Sequence, residues 1–113
     1  VSGCSNETIG LIAGGEASSG RVNTIDQITI ASTANSTDFG DLLAAADNGA
    51  TSSCSSATRG IFWGLYPSSL SNVIQYVTIG SAGNAQDFGD LTAANRMGFS
   101  TSATNGGTAG GTL

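Results

Sequence analysis

The side chains best suited to acid–base, nucleophilic or metal chemistry in this 113-residue chain are eight carboxylates and two thiols. Four carboxylates sit in one pentapeptide that occurs twice, Asp38-Phe39-Gly40-Asp41-Leu42 and Asp87-Phe88-Gly89-Asp90-Leu91. Asp38 with Asp41, and Asp87 with Asp90, are weak candidates for Ca²⁺, which takes six to eight oxygens. Two carboxylates per copy need several carbonyls to complete such a site. Capping of turn amides by the Asp carboxylates, with Gly allowing a tight turn, is the plainer role. The triplet Asp-Phe-Gly also belongs to phosphoryl-transfer sites. There it works with a phosphate-pairing Lys and a His-Arg-Asp loop, and this chain has neither Lys nor His.

A glycosidase needs two carboxylates in a cleft, one with a raised pKa. These acids mostly recur with the pentapeptide, whereas a catalytic pair is usually unique. A nucleophilic Cys needs a base, normally His, and none is present. The residues therefore point away from an enzyme, and no cofactor is implied.

The spacing of these residues is set by an internal repeat, whose period bounds the fold. Cys4-Ser5-Asn6 matches Cys54-Ser55-Ser56 at an offset of 50, and Leu11 to Gly14 matches Ile61 to Gly64. After one deletion the offset is 49. Ile28-Thr29-Ile30 then matches Val77-Thr78-Ile79, Asn35 matches Asn84, and the pentapeptide recurs unchanged. The first repeat spans about 4–53 and the second about 54–102. A partial third copy covers about 103–113, where Ala103-Thr104-Asn105-Gly106 follows Ala57-Thr58-Arg59-Gly60.

Each repeat is expected to form about four short antiparallel strands. The first is Gly10 to Ala13, or Gly60 to Trp63, closed by glycine. The second is Val22 to Ile30, or Val73 to Ile79. Along it Ile28 and Ile30, or Val77 and Ile79, share one face. The third lies around Phe39 and Leu42, or Phe88 and Leu91, with each Phe as a core plug. The fourth leads from Ala44 or Ala93 toward the next repeat. Leu43 to Ala46 could form one helical turn, too short to hold alone. The fold class is all-β.

Four strands in about 50 residues suggest a propeller blade, which cannot bury both faces of its sheet without neighbours. Two blades do not close. Either several chains assemble, or the sequence is a slice of a longer array. Cys4 and Cys54 occupy equivalent blade positions, usually too far apart for a disulfide, so free thiols are expected.

Three aromatic residues break the repeat equivalence. Trp63 replaces Ala13, Tyr66 replaces Glu16 and Phe99 replaces Ala50. Trp63, Tyr66 and Phe99 are thus candidates for a sugar-stacking or subunit contact surface, with core filling as the plainer role for Trp63. The loops around Tyr66 to Ser71 and Gly14 to Gly20 would frame a carbohydrate site. Asn6-Glu7-Thr8 and Asn35-Ser36-Thr37 are glycosylation sequons of a kind that arises by chance in a Ser/Thr-rich chain.

The run Thr-Arg-Gly-(apolar)-Phe-x-Gly, then Asn-x-Ile-x-x-(apolar)-Thr-Ile, then Asn-Ala-x-Asp-Phe-Gly-Asp-Leu-Thr resembles the kelch-like repeats of tailed-bacteriophage virion proteins, especially of phages infecting aquatic bacteria. It extends from Thr58 through Thr92, and more loosely from Thr8 through Leu42. Gly14-Gly15 stands where kelch blades have a diglycine. Phe39 and Phe88 stand where they have an aromatic before the last strand. The second copy departs from this with Gly64-Leu65. The resemblance implies a β-propeller or stacked-blade module on a virion appendage or shell.

Charge narrows the partners. The net charge is −5, with three scattered Arg, which cannot neutralise a phosphate backbone. No apolar run approaches the ~20 residues of a membrane-spanning helix. The expected partners are other copies of the chain or other virion proteins, and a host-surface glycan. Nucleic acid and membrane insertion are not expected. The expected role is a self-assembling structural component of a virion, on a tail fibre or other exposed appendage. The alternatives are a carbohydrate-binding adhesive module and a capsid decoration protein.

Overall fold

β-Branched residues at alternating positions, punctuated by Gly, Asn and Ser, favour short pleated strands. The computed structural model describes residues 2–46, 52–64 and 69–95, none of them in a helix. Eight strands form two four-stranded antiparallel sheets, each a simple meander. The first holds β1 (Ser2–Ser5), β2 (Ile9–Ala17), β3 (Gly20–Thr29) and β4 (Thr37–Ala46). The second holds β5 (Ser52–Ser55), β6 (Arg59–Trp63), β7 (Ser71–Thr78) and β8 (Gln86–Asn95). The two blade-like repeats are thus present. The partial third repeat, about 103–113, lies outside the described residues.

The strand inventory differs from the expected one in three places. The Cys-bearing segments form β1 and β5, the outer strands beside β2 and β6. Their short Ser/Cys sequences carry little strand signal. No separate strand leaves Ala44, because β4 runs unbroken from Thr37 to Ala46. The stretch Leu43 to Ala46 is therefore strand and not a helical turn. Finally, β2 does not stop at glycine. Gly14 and Gly15, at φ 69° and 121°, absorb a register shift, and β2 continues to Ala17. The segment Gly14 to Gly20 is consequently a tight hairpin, with Ala17 paired to Gly20, and not an open loop.

The pentapeptide is a bulged strand and not a turn. Gly40 pairs with Ile25 and Asp38 with Asp26, leaving Phe39 as the extra residue. Phe88 is bulged in the same way, between Gly89 opposite Ile74 and Asp87 opposite Gln75. One extra residue inverts the alternation. It sends Phe39 and Leu42 to one face of the sheet, and Asp38 and Asp41, opposite Asp26 and Thr24, to the other. The Asp residues are therefore not caps of a turn.

The two sheets stack front on back. The front of the first blade carries Leu11, Ala13, Ile25, Phe39 and Leu42. The back of the second carries Phe62, Gln75 and Val77, with Ile79 just beyond β7. These apolar residues form one core. The rungs align. Ser2 pairs with Ala13, Ser53 pairs with Phe62, and Ser2 Oγ donates to Ser53 Oγ at 2.7 Å. Small Ala13 therefore sits level with large Phe62.

Polar groups fasten the stack. Ser53 Oγ donates to the Gly3 carbonyl at 2.6 Å and Ser55 Oγ to the Ser5 carbonyl at 2.7 Å. Asn6 accepts the N–H groups of Thr8 and Ile9 and donates its Nδ2 to the Ala57 carbonyl at 3.2 Å. At the other edge, Asp41 N–H donates to Asn84 Oδ1 at 3.0 Å, and Ala85 N–H donates to the Asp41 carbonyl at 2.8 Å. Gln75 Oε1 accepts the Leu43 N–H at 2.8 Å.

Candidate functional site

A front-on-back stack of two equivalent blades leaves one face of each kind uncovered. The back of the first blade exposes Ile12 (41%), Ile28 (37%) and Ile30 (53%). Their counterparts in the second blade, Phe62, Val77 and Ile79, are at most 3% exposed. The front of the second blade shows the converse. Phe88 is 48% exposed, whereas Phe39 is 3% exposed. The expectation that both Phe residues plug a core holds for Phe39 and fails for Phe88, because no further blade of this chain's described residues covers it.

That front gathers three of the five described aromatics, Trp63, Tyr76 and Phe88. Cross-strand pairing puts Ile61 opposite Tyr76 and Trp63 opposite Ile74. The rings of Tyr76 and Phe88 meet edge to face, with centroids 5.9 Å apart. The Arg59 guanidinium lies 4.7 Å from the Tyr76 centroid and 5.8 Å from that of Phe88. Tyr76 Oη donates to Gln86 Oε1 at 2.8 Å. Such a cluster of aromatic faces under a planar cation is suited to contact, not to bond making.

Trp63 belongs to this uncovered front and is only half-buried. It lies on the face opposite Phe62, away from the core between the blades, so it does not fill that core. Tyr66 and Phe99 lie outside the described residues, as do residues 66–68 of the loop from Tyr66 to Ser71. Tyr76 was missed in the sequence. It replaces Gln27, and the same test of broken equivalence that selects Trp63 would have found it.

The described carboxylates do not converge on a metal-sized site. Asp38, Asp87 and Asp90 are exposed and Asp41 is half-buried. Among the described residues no three Asp, Glu, Cys or His side chains are grouped to hold a metal ion. Two shallow clefts flank the β3–β4 and β7–β8 connections. One, of about 280 Å³, is lined by Gln27, Ile28 and Asn35, and its counterpart, of about 260 Å³, by Tyr76, Val77 and Asn84. They are repeat copies of one another, formed by the fold itself.

Cys4 and Cys54 are both free thiols. Each lies opposite a front-facing residue, Leu11 and Ile61 respectively, so the sulfurs point the same way rather than at each other. Cys4 Sγ packs over Gly60, 2.9 Å from where a Cβ would stand. Burial pushes the Cys4 thiol up to about 12, helped by nearby Cys54, and burial also raises Cys54. A thiol held neutral is a poor nucleophile.

No protein-family model, no curated protein and no solved structure matches the chain.

Proposed function

We propose that the protein is a self-assembling structural component of a virion, on a tail fibre or other exposed appendage, without catalytic activity. The observation that carries the assembly part is the pair of uncovered, repeat-equivalent faces. Apolar side chains that one blade buries, the other blade leaves in water. Covering a fully exposed residue of this size is worth about 1.5–3 kcal/mol, so half-exposed Ile30 and Phe88 each retain a sizeable fraction of that. The virion location draws on the resemblance to kelch-like phage repeats.

Two measurements test this reading. Light scattering at micromolar concentration is expected to give a mass that is a multiple of 11.1 kDa. Peptide mass spectrometry of purified phage particles is expected to recover the chain. A monodisperse monomer absent from every particle preparation contradicts it. Immunogold labelling separates an appendage from a capsid decoration protein.

A carbohydrate-binding adhesive module is the second reading. Tyr76, Phe88 and Arg59, gathered on one open face, favour it, because sugar rings stack on aromatic faces. A glycan array probed with the assembled form tests it, and no binding to any glycan sinks it.

A further inference from the structure

We infer that chains stack head to tail, the front of one chain's second blade seating on the back of the next chain's first blade in the geometry already used between the two blades. The inference rests on the self-assembly reading and names its interface and its partner, a second copy of this chain.

The internal junction supplies the pattern. It is heterologous, front to back, so it consumes one face of each blade and leaves the matching pair free at the two ends. A heterologous contact repeats until it closes a ring or runs on as a filament. The free front carries the same residue types as the buried one at four key points. Ile61, Ile74, Phe88 and Leu91 stand where Leu11, Ile25, Phe39 and Leu42 stand. On the free back, Ile28 and Ile30 stand where Val77 and Ile79 are buried.

Two details have no counterpart contact among the described residues and have the right shape for this contact. Gly40 cannot carry a side chain, because the Gly83 carbonyl fills the place of its Cβ. Gly89 keeps the same residue and nearly the same φ, 156° against 154°, yet a Cβ there would meet nothing within 4 Å. In the stack, the loop around Ala34 of the next chain takes the place of Gly83. Likewise Asn84 accepts the Asp41 N–H within the chain. The repeat equivalent, Asn35, has no such partner among the described residues. In the stack it faces Asp90 of the neighbour.

The substitutions between the two junctions compensate in volume. Inside the chain, Ala13 lies level with Phe62 beside Ser53. Between chains, the equivalent rung sets Trp63 against Ile12 and Gly3. The front gains an indole where the back loses a ring and a hydroxymethyl group. Trp63 therefore fills the space that Ile12 and Gly3 leave.

A mixing experiment tests this with the whole chain. Phe88→Asp disables the front end and Ile30→Asp the back end. Both sites are solvent-exposed in the single chain, so circular dichroism and thermal melts of dilute samples should match the parent. By sedimentation velocity, the parent is expected to form oligomers and each variant alone to stay monomeric. An equimolar mixture should form a 1:1 dimer and nothing larger, because one intact front meets one intact back. Oligomers unaffected by either substitution, or a mixture that stays monomeric, overturn the head-to-tail contact while leaving self-assembly by another surface in place. A parent that stays monomeric at 100 μM removes both readings.

Discussion

The Asn84 side-chain oxygen accepts the backbone N–H of Asp41 at 3.0 Å, while the neighbouring Ala85 N–H donates to the carbonyl of the same Asp41 at 2.8 Å. Both backbone groups of one edge-strand residue are thus held by the loop of the other blade. Removing Asn84 leaves an edge N–H without its partner, at a net cost of about 0.5–1.5 kcal/mol. Asn84→Ala is expected to lower the urea midpoint accordingly. Asn35→Ala, at the equivalent but uncovered position, should change the single chain's stability by less than about 0.5 kcal/mol. Equal losses at both positions would contradict the different roles assigned to them.

Gly40 and Gly89 make a second controlled pair. Both have φ in the range that disfavours side chains, so alanine strains either backbone by about 1–3 kcal/mol. Only at Gly40 does the new methyl also strike the Gly83 carbonyl. Gly40→Ala should therefore destabilise dilute protein by clearly more than Gly89→Ala in chemical denaturation. In assembled samples Gly89→Ala should additionally weaken association.

Gln75 is fully buried. Its Oε1 accepts from Leu43, while its Nε2 has no partner among the described residues. An unmade buried bond costs about 1–3 kcal/mol, comparable to or larger than the net gain from the bond that is made. Gln75→Leu gives up both and keeps most of the volume. Its unfolding free energy is expected within about 1 kcal/mol of the parent, whereas Gln75→Ala, which opens a cavity, should cost more. A Leu variant as damaged as the Ala variant would show that the Leu43 bond dominates.

The Cys4 thiol has a pH signature. Its folded value, about 12, lies above the ordinary 9.0. Below pH 9 both folded and unfolded states hold the proton, and the contribution is fully present. Between pH 9 and 12 the unfolded chain releases the proton first, so stability falls. The stability difference between the parent and Cys4→Ala should shrink as pH rises from 8 to 11. A difference that stays constant would place the thiol in water.

Much of the blade was legible because its signals are local. The Ile28–Ile30 and Val77–Ile79 alternation, the offset near 50 and the repeated pentapeptide mark two copies of an all-β unit. The remaining features depend on non-local effects. Ser2–Ser5 and Ser52–Ser55 are strands only because β2 and β6 present edges to them. The bulges at Phe39 and Phe88 depend on cross-strand pairing, which a short run Asp-Phe-Gly-Asp does not reveal. Phe39 and Phe88 have identical neighbours in sequence and opposite burial, since burial there depends on whether another blade lies in front. The Arg59–Tyr76–Phe88 cluster joins three strands and was invisible to a reading of single segments.

The central claim is that the front of the second blade seats on another copy of the chain, and Trp63, the only Trp in the sequence, reports on it directly. Its fluorescence should be followed across the concentration range in which mass increases. Emission is expected to move to shorter wavelength, and acrylamide quenching to fall, in step with assembly, while Phe88→Asp keeps the dilute values throughout. Assembly of the parent with Trp63 emission and quenching unchanged would contradict the claim.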